Sequence, residues 1–203
     1  VVSDWSSDVC SSDLLNFRAK KGAITMIIGR IGSGKSSLLY AIAGEMKIAD
    51  YERTKVRMAG RIGYVSQKPW VMNSTLRENI LLDLPYDSDR FHAALKYSCL
   101  EADLHTFKKG IENETGEGGE ALSGGQRARL ALAQSLYQDC DIYMFDDILS
   151  ALDSQVGSFI MEETIKKKLK HKTVITALLH GAGNTSPTRQ RVRLTHKPCP
   201  RRG

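Results

Sequence analysis

The chain has 203 residues, of which 41% are hydrophobic and 26% are charged, ordinary values for a globular domain with one core. Its longest apolar runs, such as residues 23–28 (AITMII), are much shorter than the roughly 20 residues that a membrane-spanning helix needs. The net charge of +6 is carried by six basic residues after position 180. The rest of the chain is therefore neutral, and we expect no nucleic-acid partner.

The first segment, residues 1–14, has neither helical nor strand periodicity. It back-translates into a DNA sequence that resembles a short-read sequencing adapter, so we interpret it as an artefact and exclude it from the fold prediction. A native linker rich in Ser and Asp is the alternative. From residue 15 to about residue 176, short apolar strands alternate with helical segments, which predicts an α/β domain with a mostly parallel sheet.

A glycine-rich turn follows the first predicted strand. Residues 29–37 read GRIGSGKSS and match the P-loop pattern GxxxxGK[ST], with a helical segment after them. The glycines allow the backbone to approach phosphate oxygens, Lys35 can reach the β- and γ-phosphates, and the Ser36 hydroxyl can bind Mg²⁺. This turn predicts a nucleoside triphosphate site whose contacts are Gly29, Gly32, Ser33, Gly34, Lys35, Ser36 and Ser37.

A mostly helical region occupies the middle of the chain. Residues 75–78, TLRE, predict a capping box at a helix start, and the helical pattern that follows is interrupted near Glu101. Residues 121–134, ALSGGQRARLALAQ, predict a further helix with Ser123 as its N-cap. Gly124 and Gly125 would let an anion approach the N-terminus of this helix. A capped amphipathic helix without a ligand is the alternative.

Paired carboxylates end the next predicted strand, at residues 141–147 (DIYMFDD). In P-loop proteins an Asp at such a position holds Mg²⁺ through water, and here this residue is Asp146. Asp147 can polarise the attacking water as a general base. The alternative is a surface acidic pair or a helix cap.

The last stretch, residues 177–203, lacks acidic side chains and apolar periodicity. Such a composition indicates either a disordered basic tail or a change of reading frame. Together with the adapter-like start, it predicts a fragment that is truncated at both ends.

Taken in order, these motifs resemble the nucleotide-binding domain of ABC transporters. LSGGQ at residues 122–126 is similar to the family's signature, SALD at residues 150–153 to its D-loop, and the sequence around Gln67 to its Q-loop. The resemblance implies a RecA-like P-loop core with a parallel sheet and an inserted α-helical subdomain at about residues 73–135. It implies ATP and Mg²⁺ as cofactors.

The resemblance also implies roles for individual residues. Gln67 and Asp147 would be catalytic, as would His180 if it is the family's switch histidine, although it comes one residue late in the pattern. The implied magnesium ligands are Ser36, Gln67 and Asp146. Two such domains pair head to tail in this family, so the signature would contact the ATP of a second domain through Leu122, Ser123, Gly124, Gly125 and Gln126. Further partners would be the transmembrane domains of the same transporter, which places the domain at the cytoplasmic face of a membrane.

Finer features resemble the first nucleotide-binding domain of subfamily C, the multidrug-resistance-associated-protein-like exporters. QKPWVMNSTLRENI is similar to its Q-loop run, and Asp147 stands where most ABC ATPases have Glu. The shorter side chain predicts good ATP binding but slow hydrolysis. Two alternatives remain: a soluble ABC-type ATPase, and an ATP-gated regulatory module without transport. Trp70 is either a contact for a membrane domain or part of the local core.

Overall fold

A five-stranded sheet forms the centre of the computed structural model, which describes residues 18–46, 56–179 and 189–193. The strands are β1 (Ile24–Gly29), β2 (Ile62–Val65), β3 (Ile142–Asp146), β4 (Thr173–Leu179) and β5 (Arg189–Arg193). Their order is β2-β3-β4-β1-β5, and every neighbouring pair is parallel. The α/β fold with a parallel sheet is thereby confirmed.

The inner strands read as continuous apolar runs because both faces of the sheet are covered. All five residues of β3 are buried. β4 lies between β1 and β3, and its ladders pair Gly29 with Leu179 and Asp146 with Ala177. The carboxyl ends of β1 and β3 therefore flank the end of β4 at one edge of the sheet.

Helices pack on both faces of the sheet. The helix α1 (Lys35–Ala43) covers one face, and α5 (Gly124–Tyr137) covers part of the other together with α6 (Ser154–Phe159) and a following π-helix (Ile160–Lys168). The core on the α1 side contains Ile27, Leu39, Ile42, Met144 and Ile175. The core on the opposite face contains Val65, Leu132, Tyr143, Phe145, Ile160 and Val174.

A helical layer lies between β2 and β3 in the chain. It consists of α2 (Leu76–Leu81), α3 (Ser88–Ser98), the short α4 (Glu101–Leu104) and the start of α5, with 3₁₀ turns at Gly110–Glu112 and Glu117–Gly119. Its own apolar core includes Leu76, Ile80, Phe91, Leu95, Leu100 and Leu130. This layer is the predicted helical insertion, and α5 belongs to both its core and that of the sheet.

Asn79 holds the chain segment that enters α2, and its side chain is fully buried. Its Oδ1 accepts from the Met72 backbone N–H at 2.9 Å, and its Nδ2 donates to Met72 O at 3.1 Å and to Thr75 O at 3.0 Å. Since these groups lose their partners without the amide, we expect Asn79→Ala to lower the free energy of unfolding by about 2–4 kcal/mol.

The measurement is urea unfolding followed by circular dichroism. Asn73→Ala, at an exposed position in the same segment, is the matched control and should change the free energy of unfolding by less than about 0.5 kcal/mol. Equal effects of the two substitutions would contradict the assignment of a clamping role to Asn79.

The sequence-predicted tail is partly ordered in the structure. Residues 177–179 complete β4, and Arg189–Arg193 pair in parallel with β1 as an edge strand. A strand ladder uses backbone groups and needs no side-chain periodicity. Both interpretations of the stretch as a whole, a disordered basic tail and a change of reading frame, stay predictions.

Two sequence predictions lie outside the described residues: the adapter-like segment 1–14 and His180. Within the described part of the chain, no helix is both long and apolar enough to span a bilayer.

Candidate functional site

The glycine-rich turn joins the end of β1 to the start of α1. Gly34 is the N-cap of α1, with φ of 85°, and Gly32 has φ of 76°. A Cβ at either position would meet nothing within 4 Å, so the requirement for glycine comes from the left-handed backbone and not from lack of space. These two residues bend the loop around the N-terminus of α1.

Lys35 lies inside this loop, and only 8% of its surface is exposed. Its Nζ donates to Gly29 O at 3.0 Å and to Arg30 O at 2.9 Å. The Ser33 Oγ is buried and has no hydrogen-bond partner within the described residues. A buried hydroxyl without a partner, next to a cation and a helix N-terminus, fits an anion such as phosphate.

A cavity of about 260 Å³ opens beside the loop. It brings together three sequence motifs that are far apart in the chain, because β1, β2 and β3 are parallel and their carboxyl ends share one edge of the sheet. The cavity is lined by Ile31, Gly32, Gly34, Lys35, Ser36, Ser37, Gln67, Asp146 and Asp147. All three predicted magnesium ligands are in this set.

The two carboxylates are held differently. Asp146 ends β3 with 3% of its surface exposed, and the Tyr64 hydroxyl donates to its Oδ2 at 3.4 Å. Asp147 has a left-handed backbone with φ of 52°. Its N–H donates to Ala177 O at 3.2 Å, and its carbonyl accepts from Ser150 Oγ at 2.7 Å. These two bonds fix a conformation that Asp tolerates better than most residues.

The cavity offers oxygen ligands to a cation. Hydroxyl, amide and carboxylate oxygens from Ser36, Gln67 and Asp146 line the same space, and Mg²⁺ prefers such ligands. Within the described ranges, no group of three or more His, Cys, Asp or Glu side chains is arranged to hold a metal ion.

The LSGGQ segment begins α5 with a capping box. Ser123 Oγ accepts from the Gln126 N–H at 3.2 Å, and Gln126 Oε1 accepts from the Ser123 N–H at 3.0 Å. One turn further along, Arg129 donates to both oxygens of Asp103, at 2.6 and 2.8 Å, and Gln126 Nε2 lies 3.4 Å from the same carboxylate. The start of α5 is thus fixed to α4.

The two signature glycines differ in their surroundings. A Cβ at Gly125 would lie 3.2 Å from the backbone oxygen of Ala151, in the 3₁₀ turn Ile148–Ala151 after β3, whereas a Cβ at Gly124 would meet nothing within 4 Å. None of residues 122–126 lines the cavity that contains Lys35. The signature therefore forms a second surface, next to the loop that follows the carboxylates.

Sequence reasoning missed the contact between Tyr64 and Asp146. The contact depends on the register of β2 against β3, in which Tyr64 pairs with Met144. The available signal is an aromatic residue near the end of β2. The register of β2 against β3, which places this residue beside Asp146, appears only in the structure.

A parallel sheet with a P-loop after one strand and paired carboxylates after another defines the P-loop class of nucleotide-binding domains. The model of the "ABC transporter" family matches residues 13–150. The chain belongs to the ABC transporter family.

Similar proteins come from several eukaryotes. The chain is 45% identical over 163 residues to ABC transporter C family member 3 of Dictyostelium discoideum, and the aligned region covers 80% of the chain and 11% of that protein. It is 45% identical over 166 residues to the oligomycin resistance ATP-dependent permease YOR1 of Saccharomyces cerevisiae, with 80% and 11% covered. It is 42% identical over 173 residues to ATP-binding cassette sub-family C member 4 of Mus musculus, with 84% and 13% covered. The likeness to subfamily C is thereby confirmed, and the chain spans only 11–13% of the length of these relatives.

Proposed function

We propose that the chain is the ATP-binding, weakly hydrolysing domain that powers or gates export by a subfamily C transporter, as the first of its two nucleotide-binding domains. The observation that carries this proposal is the cavity in which Lys35, Gln67, Asp146 and Asp147 meet. The relatives' names, which include an ATP-dependent permease, support transport as the larger protein's activity. The domain would then act at the cytoplasmic face of a membrane.

The residues in the cavity have complementary roles toward Mg²⁺-ATP. The loop N–H groups, Ser33, Ser37 and Lys35 would hold the phosphates, while Ser36, Gln67 and Asp146 would hold the cation directly or through water. A bound cation would neutralise charge on the β- and γ-phosphates. Gln67 would also help to orient the attacking water, as would His180 if it is the switch histidine.

Asp147 is the proposed general base, and its short side chain supports slow hydrolysis. Its carboxylate is one methylene closer to the backbone than that of Glu, and proton abstraction requires an approach of about 2.6–3.2 Å. The short side chain also favours a second candidate function, an ATP-gated module that binds nucleotide and does not hydrolyse it. Turnover in the assembled transporter separates the two.

A second nucleotide-binding domain is the proposed partner of the signature. The capped start of α5 presents free backbone N–H groups and the positive end of a helix dipole, which suit the γ-phosphate of a partner's ATP. Gly124 is open on this surface, as a residue that approaches a ligand from another domain would be. The signature residues lie outside the chain's own cavity, which supports head-to-tail pairing.

The pairing can be tested with Gly124→Asp in the full-length transporter. A side chain at this position has space and an acidic residue suits a first helical turn, so we expect an unchanged melting temperature of the chain. The new carboxylate would face the partner's phosphates, and like charges in contact cost several kcal/mol. We therefore expect ATP turnover to fall at least about tenfold.

Gly157→Asp is the matched control, because Gly157 is helical and equally open. It should leave both turnover and melting temperature unchanged. Normal turnover of the Gly124→Asp transporter would contradict pairing through this surface.

Membrane domains are the other proposed partner. A groove of about 290 Å³ between β2 and α5 is lined by Trp70, Leu82, Ala131, Gln134 and Ser135 among others. Trp70 is 70% exposed, and the buried Ser135 Oγ has no hydrogen-bond partner within the described residues. An exposed aromatic side chain and an unpaired hydroxyl at one groove support docking of a membrane-domain segment there.

A further inference from the structure

Tyr64 lies on the strand next to the carboxylates and contacts Asp146, which lines the nucleotide cavity. In the parallel ladder of β2 and β3, Tyr64 pairs with Met144, so its side chain lies on the same face as that of Asp146, two residues further on. Its hydroxyl donates to Asp146 Oδ2 at 3.4 Å. This length exceeds the usual range for O–H···O bonds, so the bond itself contributes little to the stability of the fold.

The phenol is held in place from the other side by the P-loop helix. The rings of Tyr64 and Tyr40 lie 5.6 Å apart between centroids at an angle of 52°, and Tyr40 belongs to α1, which begins at Lys35. The ring of Tyr64 is thereby placed between Tyr40 on one side and the Asp146 carboxylate on the other.

We propose that Tyr64 is a positioning residue of the nucleotide site, whose hydroxyl orients the Asp146 carboxylate toward the divalent cation that accompanies ATP. This inference rests on the proposed function, in which Asp146 holds that cation. Tyr64 itself touches neither the nucleotide nor the cation and acts only through Asp146. Hydrogen bonds to a ligand's carboxylate commonly tune metal affinity in this way.

The test measures how Mg²⁺ affects nucleotide affinity in the full 203-residue chain. A fluorescent ATP analogue is titrated in EDTA and at increasing Mg²⁺, for the wild type, Tyr64→Phe, Asp146→Asn and the double variant. Phe keeps the ring that packs on Tyr40, so we expect the melting temperature to change by no more than about 2 °C. Tyr143→Phe, which removes a phenol hydroxyl from the opposite face of β3, is the matched control.

If Tyr64 positions Asp146, Tyr64→Phe raises the half-saturating Mg²⁺ concentration about tenfold, at the lower end of the effect of outer-shell substitutions. In EDTA the affinity for the ATP analogue stays within about twofold of the wild type, since Tyr64 acts through Asp146, whose proposed role is to hold the cation. In the Asp146→Asn background the same substitution has no further effect, as expected of two residues that act as one unit.

Three results would overturn the inference. In the first, Tyr64→Phe leaves the Mg²⁺ dependence unchanged while Asp146→Asn raises the half-saturating Mg²⁺ concentration. This result would leave the proposed function intact. The second is an equal loss of affinity with and without Mg²⁺, which indicates a merely structural role. If Asp146→Asn itself leaves the Mg²⁺ dependence unchanged, the metal assignment fails, and this inference fails with it.

Discussion

Replacing Lys35 with Met should reduce the affinity of the chain for ATP at least about 100-fold, equivalent to about 2.7 kcal/mol. The ammonium group lies buried at the centre of the loop, bonded to the carbonyls of Gly29 and Arg30. In this sheltered position it would exchange those carbonyls for phosphate oxygens, and bonds between charged groups are among the strongest in proteins. Titration with a fluorescent ATP analogue measures the loss.

The Met variant keeps the apolar part of the side chain but leaves two carbonyl groups without a donor. We expect a loss of stability of about 1–2 kcal/mol, so thermal unfolding must show that the variant is folded at the assay temperature. Lys108→Met, which removes an exposed lysine, controls for net charge and should bind ATP like the wild type. Affinity of the Lys35→Met chain within threefold of that control (about 0.7 kcal/mol) would refute the predicted phosphate contact.

Replacing Asp147 with Glu should raise ATP turnover in the assembled pair of domains about tenfold or more. The added methylene extends the carboxylate toward the attacking water, and general-base catalysis typically contributes a factor of about 10² to 10⁴. ATP affinity should not change, because the proposed role of Asp147 is in hydrolysis. Single-turnover hydrolysis measurements isolate the chemical step from product release.

The backbone conformation of Asp147 makes the Asp147→Glu substitution destabilising. Its φ of 52° is left-handed, a region that Asp tolerates better than Glu, so we expect Asp147→Glu to lower stability by about 1 kcal/mol. Asp147→Asn is the matched control, since it keeps the size of the side chain and removes the base. It should hydrolyse more slowly than the wild type. Turnover that is the same in all three forms would show that residue 147 is not the base.

Local patterns in the sequence predicted most of the elements that build the site. The strand predicted at residues 23–28 is β1, Ile24–Gly29, and the capping box at Thr75 and the N-cap at Ser123 are present as expected. The break near Glu101 is confirmed, since α3 ends at Ser98 and α4 starts at Glu101. These features depend on short-range rules, namely strand periodicity and helix capping, which a single sequence contains.

Contacts between distant segments could not be predicted in this way. The ion pair of Arg129 with Asp103 and the contact of Tyr64 with Asp146 both depend on side-chain placement in three dimensions. The left-handed backbone of Asp147 is set by its bonds to Ala177 and Ser150. No periodic pattern in the sequence encodes the register and packing that create these contacts.

The order of the strands means that the nucleotide site forms late in folding. The P-loop follows β1 and the carboxylates follow β3, but β4 must insert between these strands, and it pairs Ile24 with Val174 across 150 residues of chain. Such non-local pairing forms slowly, because the intervening loops must close first. Only fully folded molecules should therefore bind nucleotide. ATP in the refolding buffer should then raise the yield of native protein by mass action.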